Sequence, residues 1–239
     1  MATYVIADIH GEYEMFMKML QKIGLGEEDT LYVLGDIVDR GPQPVELLME
    51  LMDMPNAELI LGNHELMAFD CLDFLSQEIT NETIAKLSAE TIGKFRSWQE
   101  NGGGTTVAGF RRLGSEARGD AIDFLKDFLL YEELEVEGKR FVLVHAAPTG
   151  VLSGKPLEEH GPSELVWERP DYSRCYFPDK YLVTGHIPTM AIGENPRPGY
   201  IYRANNHIAI DCGACFEGGR LACLCLDTDE EFYVERGDR

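Results

Sequence analysis

Five short apolar runs punctuate the chain: Tyr4-Val5-Ile6-Ala7-Asp8, Leu31-Tyr32-Val33-Leu34-Gly35-Asp36, Leu59-Ile60-Leu61-Gly62-Asn63, Phe141-Val142-Leu143-Val144-His145 and Tyr181-Leu182-Val183-Thr184-Gly185-His186. Each reads as a buried strand. Between the first three, apolar residues return at helical spacing, at Tyr13, Phe16, Met17, Leu20 and Ile23, then at Val45, Leu48, Met49 and Met52. Pro42 suits a turn and Pro44 the first helical position. This alternation predicts βαβ units.

Residues 66 to about 130 read as mainly helical. Ile84, Leu87, Ile92, Phe95 and Trp98 carry one apolar stripe, which breaks at Asn101-Gly102-Gly103-Gly104. That glycine run reads as a helix stop and hinge, with a loop lying close to a functional site as the alternative. After about residue 198 strands follow closely: Tyr200–Arg203, His207–Asp211, Leu221–Leu226 and Phe232–Glu235. Parallel strands first and antiparallel strands later predict two sheets packed face to face with helices outside. Gly193 to Gly199 is a surface loop by composition. With no repeat or linker, residues 1–239 are expected to form one domain.

Composition narrows the function. Forty-two acidic against twenty-one basic residues leave a net charge of −21. Such a surface repels duplex nucleic acid and disfavours anionic membranes. No apolar stretch reaches the length of a membrane span, and the amino terminus enters a strand without a leader, so a cytoplasmic protein is expected. The six cysteines do not suggest a disulfide framework. Cys212, Cys215, Cys223 and Cys225 could form a zinc site. Cys223 and Cys225, however, share one face of their run, as packed core thiols do.

The chemistry gathers at the strand ends, where open α/β sheets carry their sites. Asp8, Asp36, Asn63, His145 and His186 close the five runs, and His10 follows Asp8 by two. Gly precedes Asp36, Asn63 and His186, allowing a tight turn or a close approach to a ligand. Oxygen and imidazole ligands without thiolate point to manganese, iron or zinc. Two ions about 3.5–4 Å apart would clamp a phosphoryl group and acidify a water. The residues fall into two sets: Asp8, His10 and Asp36 for one ion, and Asp36, Asn63, His145 and His186 for the other. His160 and His207 lie outside this pattern and read as structural. Glu65, at a helix start, suits the helix dipole. Asp211-Cys212-Gly213-Ala214 receives no role.

The arrangement resembles the metallophosphoesterase superfamily and, within it, the phosphoprotein phosphatase (PPP) family. The residues that carry the likeness are Asp8-Ile9-His10-Gly11, Gly35-Asp36-Ile37-Val38-Asp39-Arg40-Gly41, Gly62-Asn63-His64-Glu65, His145-Ala146 and Gly185-His186. Asn101-Gly102-Gly103-Gly104 and Val166-Trp167-Glu168-Arg169 bring it closest to the small bacterial and bacteriophage lambda type. The resemblance implies an α/β fold: a β-sandwich of two mixed sheets flanked by helices, in four layers αββα. It implies the two ligand sets above, with two divalent ions, manganese first. It further implies His64 as general acid oriented by Asp39, with Arg40, Arg169 and Asn63 on the phosphate, and direct attack by a metal-bridging hydroxide. Ala7 departs from the usual Gly, and the chain is too short for the carboxy-terminal contacts of long eukaryotic members.

The implied activity is hydrolysis of phosphoserine and phosphothreonine in phosphorylated proteins or peptides, with some activity on phosphotyrosine. The alternative is a symmetrical dinucleoside tetraphosphate hydrolase on the same scaffold. In that group the resemblance implies no acidic residue where Asp39 stands and Asp where Glu65 stands. A non-catalytic scaffold would lack ligands that this chain retains.

Overall fold

A computed structural model describes residues 1–75, 80 and 88–237. Among the described residues ten strands form two five-stranded sheets. They are β1 (Thr3–Ile6), β2 (Thr30–Val33), β3 (Ala57–Leu59), β4 (Tyr131–Val136), β5 (Lys139–Val144), β6 (Tyr181–Thr184), β7 (Tyr202–Ala204), β8 (His207–Ala209), β9 (Arg220–Cys225) and β10 (Glu231–Glu235). The first sheet runs β10-β9-β1-β2-β3 and the second β4-β5-β6-β8-β7. In the first, β1, β2 and β3 are parallel, while β9 returns antiparallel beside β1 with Ile6 opposite Cys223. In the second, β5, β6 and β8 are parallel between antiparallel β4 and β7.

The helices are α1 (Tyr13–Ile23), α2 (Pro44–Met52), α3 (Asn63–Leu75), α4 (Ala89–Glu100), α5 (Gly104–Phe110), α6 (Ser115–Lys126) and α7 (Pro162–Trp167). Pro44 takes the first position of α2, and Gly24, left-handed at φ 63°, closes α1. The segment 89–126 is mainly helical, whereas Ile84 and Leu87 of the expected stripe lie outside the described residues.

Alternation along the strands builds the layers, because successive side chains leave opposite faces. From β1, Ile6 joins Phe16, Leu31 and Leu48 in a core beneath the helices. Its neighbour Val5 joins Leu143, Val183 and Leu224 in a second core between the sheets. From β5, Val142 and Val144 pack outward on Leu157 and Leu165. The result is the α/β sandwich of two mixed sheets flanked by helices.

The structure corrects the order of strands in three places. Parallel and antiparallel strands are shared between the sheets, and β8, expected among the late antiparallel strands, runs parallel to β6. In the third apolar run β3 ends at Leu59, Ile60 still bonds Val33 O and bridges Leu129, and Asn63 opens α3 instead of ending a strand. Strand β4 was not foreseen; Glu132, Glu133 and Glu135 give it the acidic character of a sheet edge.

Candidate metal centre

The carboxyl ends of β1 and β2 continue as two loops zipped together through their backbones. Asp8 N–H donates to Gly35 O (3.1 Å), His10 N–H to Asp36 O (2.8 Å) and Gly11 N–H to Ile37 O (2.8 Å). Within these loops and after β6, Asp8, His10, Asp36, Asp39, Arg40 and His186 all adopt left-handed backbone, with φ between 48° and 71°. Such φ values are uncommon outside glycine and concentrate at functional sites.

Glu65 secures the second loop. Its Oε2 accepts from Asp36 N–H (2.7 Å) and Gly62 N–H (3.0 Å), and its Oε1 from Ile37 N–H (2.8 Å) and Val38 N–H (3.2 Å). The dipole reading of Glu65 missed this, because three of the four partners lie 27–29 residues away in sequence. Gly62 must be glycine: a Cβ there would stand 2.3 Å from Asp36 Oδ1 and 2.6 Å from Glu65 Oε2.

The imidazoles are held ready as ligands. His10 Nδ1 donates to Val38 O (3.0 Å) and His145 Nδ1 to Leu34 O (2.6 Å), which turns each Nε2 lone pair inward. Burial pushes His10 down to about 3 and lowers His145; burial and then His145 bring His186 to about 4. Each shift favours the neutral imidazole, the form that binds metal. His145 Nε2 lies 2.9 Å and His186 Nδ1 3.0 Å from Asn63 Oδ1, and His145 Nε2 is 3.6 Å from Asp36 Oδ1.

Burial resists ionisation of Asp36, but His145, His64 and His10 outweigh it and hold the carboxyl below the usual range. Burial, then Asp211 and Asp36, raises Asp8 well above it. Asp8 also accepts the His186 N–H at 3.0 and 3.1 Å. Asp211, which had no assigned role, is buried nearby and raised by burial to about 7. Lone pairs of neutral imidazoles converge with carboxylate and amide oxygens, which is an arrangement that a divalent cation relieves. Two groups present ligand atoms within 4.8 Å of one another: Asp36, His145 and His186, and His10, Asp36 and His64. Asp36 joins the two groups, and His64, not Asp8, completes the one with His10.

His64 is fully buried and donates from Nδ1 to Asp39 Oδ2 at 2.7 Å. Burial lowers its pKa, but Asp36 and Asp39 outweigh this and the net change is upward. Its Nε2 accepts from Arg40 Nη2 (2.9 Å), while Arg40 Nη1 donates to His10 Nε2 (2.7 Å). Arg40 also lies over the Phe216 ring, 5.6 Å from its centroid. A cavity of about 320 Å³ opens over this group; Asp36, Arg40, Asn63, Arg169 and His186 line it. Asn101 lines it as well, so the glycine run belongs to a loop beside the site, and Gly102 O accepts the Arg40 N–H at 3.1 Å. Asp39 receives further hydrogen bonds from Trp98 and Thr106. The apolar stripe that carries Trp98 gives no sign of this contact.

Residues 1–190 match the sequence profile of the calcineurin-like phosphoesterases. The chain belongs to that family. It is a phosphoesterase, and the family uses divalent metals. A symmetrical bis(5'-nucleosyl)-tetraphosphatase of Neisseria gonorrhoeae is 30% identical over 271 aligned positions, covering 98% of this chain and 96% of that protein. Serine/threonine-protein phosphatase 2 of Escherichia coli K12 is 28% identical over 170 positions, covering 69% of this chain and 66% of that one. The crystal structure of a proposed diadenosine tetraphosphatase is similar in fold, with a TM-score of 0.66, 16% identity and coverage of 100% and 95%.

The other sequence expectations resolve simply. His207 is a buried structural residue with Nε2 2.8 Å from Thr184 Oγ1, and His160 bonds Pro156 O through Nδ1 at 2.9 Å. The cysteines are free, and among the described residues no cysteine joins a metal-ligating group. Among those residues no helix is long and apolar enough to cross a membrane.

Proposed function

We propose that this chain is a metal-dependent phosphomonoesterase that hydrolyses phosphoserine and phosphothreonine in proteins, a PPP-type phosphatase nearest the small bacterial and bacteriophage lambda members. The observation that carries this reading is the buried pair formed by His64 and Asp39 at 2.7 Å. An alkoxide is a poor leaving group until it is protonated, and an oriented imidazole is the side chain suited to that task. Hydrolysis of a dinucleoside tetraphosphate instead releases a nucleoside diphosphate. A terminal phosphate, whose last proton has a pKa of about 6, leaves without such help.

The roles follow from positions. Asp8, His10 and Asp36 would hold one divalent ion, and Asp36, Asn63, His145 and His186 the other, with manganese the first choice. When bound, such ions supply charge stabilisation at phosphoryl oxygens and acidify water. Arg40 and Arg169 line the cavity and would grip phosphate oxygens as planar forks. Once the Arg40 guanidinium turns from His64 Nε2 to the phosphate, that nitrogen is free to carry a proton and would hand it to the departing oxygen, while Asp39 fixes the ring and favours the charged imidazole. Phosphorylated proteins would be the partners.

A second reading is favoured by the Neisseria relative, whose likeness runs over 98% of this chain. It makes the chain a symmetrical dinucleoside tetraphosphate hydrolase. The two readings separate in one assay: kcat/KM for a phosphothreonine peptide and for diadenosine tetraphosphate, side by side, in metal-stripped protein restored with Mn²⁺. A preference for the peptide supports the phosphatase; a preference for the dinucleotide overturns it.

A further inference from the structure

The Asp39 carboxylate has more partners than His64. Oδ2 accepts from Trp98 Nε1 at 2.7 Å as well as from His64, and Oδ1 accepts from Thr106 Oγ1 at 2.5 Å. Thr106 Oγ1 in turn accepts the Asp39 N–H at 2.9 Å. Asp39, His64 and Trp98 are 0% exposed and Thr106 is 1% exposed, so water cannot replace a lost donor. The terminal torsion of an aspartate is broad. Thr106 and Trp98 therefore select the rotation in which Oδ2 faces His64. Gly103 lets the indole lie where it does, since a Cβ there would stand 2.7 Å from the ring.

We propose that Trp98 and Thr106 are positioning residues that hold the Asp39 carboxylate against His64. This role rests on His64 being the general acid, as set out above. The motif Trp98-x2-Asn101-Gly102-Gly103-Gly104-x-Thr106, which does stop α4 at Glu100, is then part of the catalytic apparatus as well. The end of α4 brings the indole donor, α5 brings the hydroxyl, and Gly102 between them carries the carbonyl that accepts the Arg40 N–H. One loop thereby fixes both the partner of the acid and a phosphate-facing arginine.

Leaving-group dependence tests the role. A stable phenolate departs without a proton, so p-nitrophenyl phosphate bypasses the acid, whereas a phosphothreonine peptide does not. Trp98→Phe and Thr106→Val should each lower kcat/KM for the peptide about 10- to 100-fold, the usual effect of an outer partner, and change p-nitrophenyl phosphate turnover by less than about threefold. Thr106→Ser should restore the parent value. Thr106→Val is nearly isosteric and carries the test if Trp98→Phe does not fold. Equal losses on both substrates, or none on the peptide, would overturn the proposal. Asp39→Asn separates the two layers of inference: if it too loses both substrates equally, the general-acid reading itself fails. If Asp39→Asn discriminates and the other variants do not, only the positioning role falls.

Discussion

Glu65 offers the sharpest perturbation, because its four hydrogen bonds divide evenly. Oε1 serves the amides of Ile37 and Val38, and Oε2 those of Asp36 and Gly62. In Glu65→Gln one oxygen becomes an NH2 group. Whichever way the amide turns, two main-chain N–H groups then face a donor. The site is fully buried, so no solvent can satisfy them. A buried donor left unsatisfied costs about 1–3 kcal/mol. The substitution should therefore destabilise the fold by about 2–6 kcal/mol, a large share of the roughly 5–15 kcal/mol that holds a typical domain together. Because the freed amides belong to the loops of Asp36 and Asn63, affinity for Mn²⁺ should fall as well, about 10- to 100-fold.

The assay is urea unfolding of chelator-treated protein, followed by titration with Mn²⁺. Burial, and then the charge of Asp36, raises Glu65 to about 7, so pH 8 keeps the carboxylate ionised in the parent. Glu65→Asp retains both acceptors but lacks one methylene, and should fall between Gln and parent in both measurements. A Gln variant within about 0.5 kcal/mol of the parent, with unchanged Mn²⁺ affinity, would show that the four bonds do not hold the loops.

Other outcomes follow from the same geometry. His64→Ala should cut peptide turnover about 10²- to 10⁴-fold with metal content unchanged; loss of bound metal by elemental analysis would make His64 a ligand, as its closeness to His10 and Asp36 allows. Arg40→Lys should lower kcat/KM about 10- to 100-fold, mainly through KM, since an ammonium cannot span the two contacts at 2.7 and 2.9 Å; an unchanged KM would remove Arg40 from phosphate binding. Chelation should abolish turnover, and Mn²⁺ at a hundred times its Kd should raise the melting temperature by about 5–10 °C per site; activity surviving chelation would refute the metal reading. Burial drives His207 down to about 3, against about 6.5 in an unfolded chain. The unfolded chain takes up the proton first, so the contribution of His207 is complete above about pH 6.5 and is lost as pH falls toward 3. His207→Gln should therefore lose about 2 kcal/mol less stability than the parent between pH 7 and pH 5, and parallel stability curves would refute it.

What could be read along the chain was whatever depends on near neighbours. Strands buried on both faces are continuous apolar runs, so β1, β2, β5 and β6 stood out together with the ligands at their ends. Helices α1 and α2 were legible from one apolar face each. Strand β4 was not, because Glu132, Glu133 and Glu135 leave no apolar run between Tyr131 and Val136. Neither was the partnership of β9 with β1, where Ile6 meets Cys223 across most of the chain. The candidate ligands came through as residue types at strand ends. Their supports did not: Trp98 donates to a residue 59 positions away, and Glu65 holds amides 27–29 positions away. A carboxylate at a helix start and a tryptophan in an apolar stripe have adequate local explanations, and nothing local distinguishes a hub from a cap.

The left-handed residues extend this point to the backbone. A sequence reader looks for such φ values at glycine, yet Asp8, His10, Asp36, Asp39, Arg40 and His186 adopt them. For L-residues that conformation costs roughly 1–2 kcal/mol each. The supports pay most visibly around Asp36 and Arg40: His10 N–H grips Asp36 O, Gly41 N–H grips His10 O, Arg40 N–H grips Gly102 O, and Glu65 collects the amides of the same loop. The strain has a geometric use. A strand sends successive side chains to opposite faces, whereas left-handed turns at the strand ends bring His10, Asp36 and Arg40 to one point. It follows that loosening the supports should scatter the ligands as well as destabilise the fold. Metal affinity should therefore fall together with stability when Glu65 is changed.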